Sequence, residues 1–294
     1  MERPVFQSGE EMMAVVEKRH GLQPADLARL EQEQRYQSLR AYLDAEEWTE
    51  ENAGRETDQP TGSEEIALKN DGVLRDDFAF GDGILSVLNR RGEIQVGDTV
   101  YKLTRDYVYA VLPENLPLLN EMVPTLSSPA PEREDDRISV TKIETTSTEK
   151  AEGEEGATAS RVLMPTTGPS YFTYNFSATA SCTWQSGNRR MKGKAYITNA
   201  LFYSEAGVKT DWEKKTLWWW SNSNAPGTLS VNYSQWNLKK GGNPVFPNNG
   251  GHSAWGASSV GIVITSGWFA TIRGTIDSSH GSPIGWCYNQ VNRP

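Results

Sequence analysis

Three groups of residues in this 294-residue chain have the types and spacing that chemistry or recognition uses. The first is His252 in Asn249-Gly250-Gly251-His252-Ser253, with His280 in Ser278-Ser279-His280-Gly281-Ser282 and Asp277 beside it. Both runs read as glycine- and serine-rich turns. Turns meeting at one end of a β domain would bring the two imidazoles and the carboxylate together as a metal site or a hydrolytic Ser/His pair. Neither a helical i, i+4 pair nor a nucleophile elbow accompanies them. Two histidines in surface loops are the plainer reading, and a secreted hydrolase at His252, His280 and Asp277 is the alternative.

The second group is aromatic. Trp218-Trp219-Trp220 on a strand would place Trp218 and Trp220 on one face and Trp219 on the other, so at least one ring is expected at the surface. An exposed indole offers a large contact area at little entropic cost, which suits a sugar ring or a protein partner. Packing of all three rings in a core is the competing reading. Trp236, Trp255, Trp268 and Trp286 are candidates to extend the platform, with Trp268 expected in the core from its alternation with Ala270 and Ile272. The third group is basic: Arg190, Lys192 and Lys194 share one face of a strand. With Lys214-Lys215 and Lys239-Lys240 they could meet an anionic glycan or a membrane surface, or form a solvated strand face.

These groups lie in one part of the chain. Nine of the ten tryptophans and both cysteines fall in residues 161–294, which carry 12 Lys+Arg against 4 Asp+Glu. Residues 1–160 carry 17 against 34, so an acidic half of net −17 precedes a basic half of net +8. The acidic runs Glu132-Arg133-Glu134-Asp135-Asp136 and Glu152-Gly153-Glu154-Glu155 are the natural contacts if one half docks on the other, and plain linker otherwise. Cys182 and Cys287, near the two ends of the basic half, are placed to clamp its terminal strands by a disulfide, an arrangement of exported proteins, with two buried free thiols as the competing reading. No stretch approaches 18 consecutive apolar residues, so no spanning segment is expected. Met1 to Phe6 show no basic region followed by an apolar one, and the expectation is a chain whose signal peptide has already been removed. Gly81-Asp82-Gly83 and Gly241-Gly242 are too short to cradle phosphate, and no cofactor is expected. The sequons at Asn175 and Asn232 matter only in a glycosylating host.

The elements that must position these residues follow from periodicity. Ser8 with Glu11 three residues on forms a capping box for a helix over 8–20, closed by Gly21. A second amphipathic helix is expected from Pro24 toward Glu47, then a loop over 49–66 and a short helix from Ile84 to Leu88. Glu93-Ile94-Gln95-Val96, a Gly97-Asp98 turn and Thr99-Val100-Tyr101-Lys102-Leu103 predict a β-hairpin, and Tyr107 to Leu112 a third strand. Residues 124–160, rich in Pro, Ser, Thr, Glu and Gly, read as an interdomain linker with one brief alternation at Ile138-Val140-Ile143. Beyond Tyr171, strand-like runs at Lys194 to Tyr203, Thr216 to Trp220, Thr228 to Tyr233, Val260 to Thr265 and Trp268 to Ile276 argue for an all-β sandwich or barrel of about seven or eight strands.

The hairpin segment Leu88-Asn89-Arg90-Arg91-Gly92-Glu93-Ile94-Gln95-Val96-Gly97-Asp98-Thr99-Val100-Tyr101-Lys102 resembles a signature of uncharacterised secreted or surface proteins of the Bacteroidota, which carry an N-terminal helical segment and a C-terminal β domain. Arg189 to Lys194, Thr198-Asn199 and Gly207 to Thr210 are similar to the start of that β domain. The resemblance implies export; it brings no activity and no catalytic residues.

The expectation is therefore an α+β chain: an acidic helical and hairpin module at 1–123, a linker at 124–160 and a basic, tryptophan-rich sandwich or barrel at 161–294. Its expected role is non-enzymatic, at the cell surface or outside the cell. Trp218, Trp219, Trp220, Trp236, Trp255, Arg190, Lys192 and Lys194 are the expected contacts with an extracellular protein or a glycan, or in self-assembly. Nucleic acid is not an expected partner; contact with a membrane surface, without spanning, remains a lesser alternative.

Overall fold

The computed structural model describes residues 3–20, 22, 24–34, 36–44, 78, 80–128, 135–150, 176–200, 202–216 and 219–293. The chain divides into two compact units, Met1–Ile143 and Glu144–Pro294. The stretch expected to be a linker contributes a strand to each: Ile138–Lys142 to the first and Glu144–Lys150 to the second. The acidic runs within it fall almost wholly outside the described residues, Asp135 and Asp136 excepted.

In the first unit, helix α1 (Gly9–His20) opens as its capping box predicts, the Glu11 N–H donating to Ser8 Oγ at 3.3 Å. The returning Glu11 carboxylate accepts the Gln7 N–H at 2.6 Å, one residue earlier than in the standard box. Helix α2 (Pro24–Glu33) stops well short of Glu47. The chain breaks there because Glu31 is buried and collects Ser38 Oγ at 2.6 Å and the Arg40 guanidinium at 2.8 Å, contacts a straight helix would not close. Residues 39–44 are helical again.

Strands β1 (Val5–Phe6), β2 (Glu93–Val96), β3 (Thr99–Leu103), β4 (Tyr107–Val111) and β5 (Ile138–Lys142) form one sheet in that order, with only β1–β2 parallel. The hairpin register runs from Glu93↔Lys102 to Val96↔Thr99, as the Gly97-Asp98 turn requires. Val100, Tyr109, Val111, Leu119, Val123 and Ile138 make the core beneath it. Lys102 is buried among them and donates to Asn120 Oδ1 at 2.8 Å and the Val123 carbonyl at 2.6 Å.

The regular elements of the second unit are all strands among the described residues. Among the described residues, β6 (Glu144–Lys150), β7 (Phe176–Ser186), β8 (Arg189–Asn199), β9 (Tyr203–Thr216) and β10 (Trp219–Asn222) form one sheet, with β14 (Ser259–Trp268) also on β9. A second sheet is built on β11 (Thr228–Lys240), flanked on one side by β12 (Asn243–Pro244) and β13 (Asn249–Trp255), and on the other by β15 (Ile272–Ser282) and then β16 (Gly285–Arg293). Among the described residues neither sheet closes on itself. Met191, Ala195, Ile197, Val208 and Trp212 from the first sheet and Leu229, Val231, Ile272, Ile276 and Val291 from the second belong to one apolar cluster. Cys182 on β7 and Cys287 on β16 are joined in a disulfide, linking the two sheets near the two ends of this unit.

Among the described residues this unit has eleven strands, ten of them beyond Tyr171 where seven or eight were expected. β9, β12, β13, the second half of β15 and β16 lie outside the expected runs, and β13 and β15 correct the placement of both histidines: His252 and His280 lie on strands, not in turns. The run from Trp268 to Ile276 is likewise not one strand, since Phe269 turns the chain with φ 46° between β14 and β15.

Candidate functional site on the outer face of the second sheet

The basic stripe lies on the first sheet of this unit. Arg190, Lys192 and Lys194 alternate on β8 opposite Glu213, Asp211 and Lys209 of β9. Arg190 is ion-paired with Glu213, and Lys209 with Asp211 at 2.9 Å. The Arg190 guanidinium also lies 4.4 Å from the Trp220 ring centre, with Lys215 at 5.9 Å from the same ring. Trp220 is thus a seat for this protein's own cations, a contact of about 0.5–2 kcal/mol. Burial pushes the Glu213 carboxyl upward, with the cations around it, Arg190 first, opposing the shift. Trp218 lies outside the described residues, and Trp219 sits on β10 opposite Thr216. The expected site therefore divides: Trp220 and the basic stripe belong to the first sheet, Trp236 and Trp255 to the second.

His280, Asp277 and His252 do not converge. On β15, Ile276, Ser278 and His280 point inward, so Asp277 points to the opposite face. His252 and His280 are both opposite Val231, on its two sides, two strand spacings apart or roughly 10 Å. His280 is buried against Gly193, where an added Cβ would stand 2.3 Å from the ring. Its Nδ1 is 2.8 Å from Thr210 Oγ1 and its Nε2 is 2.9 Å from Ser278 Oγ. Ser278 donates onward to Asn289 Oδ1, and the Asn289 amide donates to the Gly193 carbonyl at 3.1 Å. The Ser278 hydroxyl proton goes to Asn289 and the Thr210 hydroxyl donates to the Ser230 carbonyl at 3.0 Å, so the ring sits in a network in which each of its neighbours is itself anchored. Burial holds the imidazole down to about 4, against which Asn289 and Asp211 act in the other direction. This histidine is a polar rivet between the two sheets beside the disulfide.

The arrangement that remains is the outer face of β13-β11-β15-β16. Register places Ser230, Asn232, Ser234 and Trp236 of β11 beside Gly281, Ser279, Asp277 and Thr275 of β15. Those in turn lie beside Trp286, Tyr288, Gln290 and Asn292 of β16. Trp255 ends β13 on the other side of β11, opposite Thr228. The rings are open to solvent: Trp236 is 62% exposed, Trp255 77%, Trp286 60% and Tyr288 54%. Trp286 and Tyr288 meet edge to face with centroids 4.6 Å apart, and strand spacing puts Trp236 roughly 15–20 Å from Tyr288.

Between the rings lies an open depression of about 520 Å³ lined by Asn232, Ser234, Asp277, Ser279, Tyr288 and Gln290 among others. Glycines on the neighbouring strands leave room for the side chains of β11: a Cβ on Gly251 would stand 2.2 Å from Asn232 Oδ1, and one on Gly281 2.4 Å from Ser230 Oγ. Asp277 organises the face. One carboxylate oxygen accepts Trp236 Nε1–H at 2.7 Å and the other accepts the Gln290 amide at 2.5 Å. The indole of Trp236 is therefore held in one orientation although nothing buries it.

Tyr288 and Gln290 were not singled out by sequence, and Asn232 only as a glycosylation sequon. The signal was present in Trp286-Cys287-Tyr288-Asn289-Gln290-Val291-Asn292, a strict alternation with Cys287 and Val291 inside. Trp268, expected in the core, is half-buried and packs on Phe202 and Phe269 with centroids 5.9 and 4.8 Å away. Among the described residues no three metal-ligating side chains come together, and no helix is long and apolar enough to cross a membrane.

Fold and site together describe a two-unit chain, mostly strand, with its helices in the N-terminal unit and a disulfide in the C-terminal one. No protein-family model matches the chain, and no curated protein matches it. Among solved structures it is similar to a DUF4848 family protein from Bacteroides thetaiotaomicron, with a TM-score of 0.24 and 10% identity over 99% of this chain and 96% of that one. A score at this level assigns neither fold nor function.

Proposed function

We propose that this is an exported, non-enzymatic binding protein whose C-terminal unit is a β-sandwich, and that the outer face of the β13-β11-β15-β16 sheet binds carbohydrate. The observation that carries the reading is the Asp277 clamp on an otherwise exposed Trp236 beside a depression lined by Asn, Ser, Gln and Tyr. A fixed, solvent-facing ring is costly to leave in water and is useful to a ligand with one apolar face, as a sugar ring has. Asn, Ser, Gln and Tyr side chains alongside supply donors and acceptors for hydroxyl groups without a dominant charge. The disulfide supports an oxidising compartment.

A glycan array probed with the full chain, prepared under oxidising conditions, tests the reading. Selective binding that Trp286→Ala or Tyr288→Ala weakens by about tenfold, on the scale of one lost hot-spot ring, is the expected result. Binding that is absent across the array from folded, disulfide-bonded protein removes it.

A further inference from the structure

The groove over which Trp236 stands does not end at Asp277. Further along the same strands a second concavity of about 750 Å³ opens between β11, β15 and β16, and Trp236 forms one of its walls. Lys239 and Arg273 stand directly opposite each other there, one on β11 and one on β15. Like charges at facing positions on paired strands repel. No aspartate or glutamate lines this concavity, and among the described residues neither Lys239 nor Arg273 makes an ion pair. A third cation lies behind them: Arg293 is buried and donates to the Ile272 carbonyl at 3.0 Å. Burial first, and the charge of Arg273 second, hold its guanidinium down to about 10. Lys239 and Arg273, facing each other with no ion pair among the described residues, contrast with the stripe on the first sheet, where Arg190 and Lys209 each have a carboxylate. The backbone is shaped for the concavity: Gly274, at φ 137°, passes so close to β11 that a Cβ would stand 2.6 Å from Leu238 Cα.

We infer that this end of the face is an anion subsite, and that the ligand is an acidic polysaccharide, one sugar lying against Trp236 and its carboxylate or sulfate group seated between Lys239 and Arg273. The inference rests on the glycan reading above and specifies its chemistry. Asp277, four residues from Arg273 on the same strand, does not compete for these cations, since its oxygens are taken by Trp236 and Gln290. A planar guanidinium and a mobile ammonium facing one another suit a bidentate oxyanion held on one side and a point charge on the other.

The test uses the full chain with four polymers: polygalacturonate, its carboxyl-reduced form, dextran sulfate and dextran. Two variants accompany the wild type, Trp236→Ala and the exposed double variant Lys239→Gln/Arg273→Gln. The expected result is that one acidic polymer binds at least about tenfold more tightly than its neutral counterpart, as charge-assisted hydrogen bonds would give. The double variant then lowers that affinity to the neutral level, while Trp236→Ala weakens both forms. Which acidic polymer responds tells carboxylate from sulfate. Equal binding of acidic and neutral forms, or a preference that survives in the double variant, overturns the anion subsite and leaves the glycan reading standing. Failure of wild-type protein to bind any of the four overturns both.

Discussion

Acidification should loosen the second unit through His280, and the size of the effect follows from its surroundings. The ring is buried, bonded on both nitrogens and held at about 4 rather than the ordinary 6.5. The unfolded chain therefore takes up a proton as pH falls through about 6.5, while the folded chain resists until about 4. Stability is complete above 6.5, declines between the two values and levels off below about 4. With those two values, the loss from this one group between pH 7 and pH 5 is about 2 kcal/mol. Urea midpoints followed by tryptophan fluorescence at pH 7, 6 and 5 measure it, since Trp212 lies in the same core. His280→Gln is expected to cost about 1–3 kcal/mol at pH 7, because Ser278 and Thr210 lose a partner. That variant should also show a pH dependence flatter than wild type by about 2 kcal/mol over the same interval. A wild-type midpoint unchanged from pH 7 to 5, or a variant with the same slope, would refute the assignment of a buried neutral imidazole.

Other consequences can be checked with the same material. Replacing Cys182 and Cys287 by alanine opens a loop spanning 105 residues and should cost roughly 4–5 kcal/mol in the chain-entropy account, read from urea curves of the two forms. Gly193→Ala drives a methyl into the His280 ring and should destabilise by about 1–3 kcal/mol or more, measured by thermal melting. Asp277→Ala should change the melting temperature little, because its two bonds are exposed, yet lower glycan affinity by releasing Trp236. Arg190→Ala leaves Glu213 without its main partner, and a loss of about 1–3 kcal/mol at neutral pH is expected, shrinking as the carboxyl is protonated.

What was legible in the sequence was whatever local pattern and tertiary demand agreed upon. The hairpin at Glu93–Leu103 has alternating apolar residues and a Gly-Asp turn, and the structure keeps its register residue for residue. The capping box at Ser8 was legible for the same reason. The break after Glu33 was not, because it depends on Glu31, Ser38 and Arg40 finding one another in a buried position. The greater loss was in β13, the end of β15 and β16. Asn249-Gly250-Gly251-His252-Ser253 and Ser278-Ser279-His280-Gly281-Ser282 have turn composition, and only packing explains why they are strands. Gly193 makes room for the His280 ring, and Gly251 and Gly281 make room for Asn232 and Ser230. Reading those runs as turns put His280 at the surface, and it hid the alternation that carries Trp286 and Tyr288. The cation stripe was legible on its strand, but not the carboxylates of β9 opposite it, since pairing across a sheet is not written in either strand alone.

The most direct test of the account is affinity electrophoresis of the full chain in gels containing soluble polysaccharides, comparing wild type with Trp236→Ala on the second sheet and Trp220→Ala on the first. The account predicts that wild type and Trp220→Ala are retarded alike while Trp236→Ala migrates freely with an unchanged melting temperature. Retardation lost in Trp220→Ala and kept in Trp236→Ala would place recognition on the other sheet and contradict it.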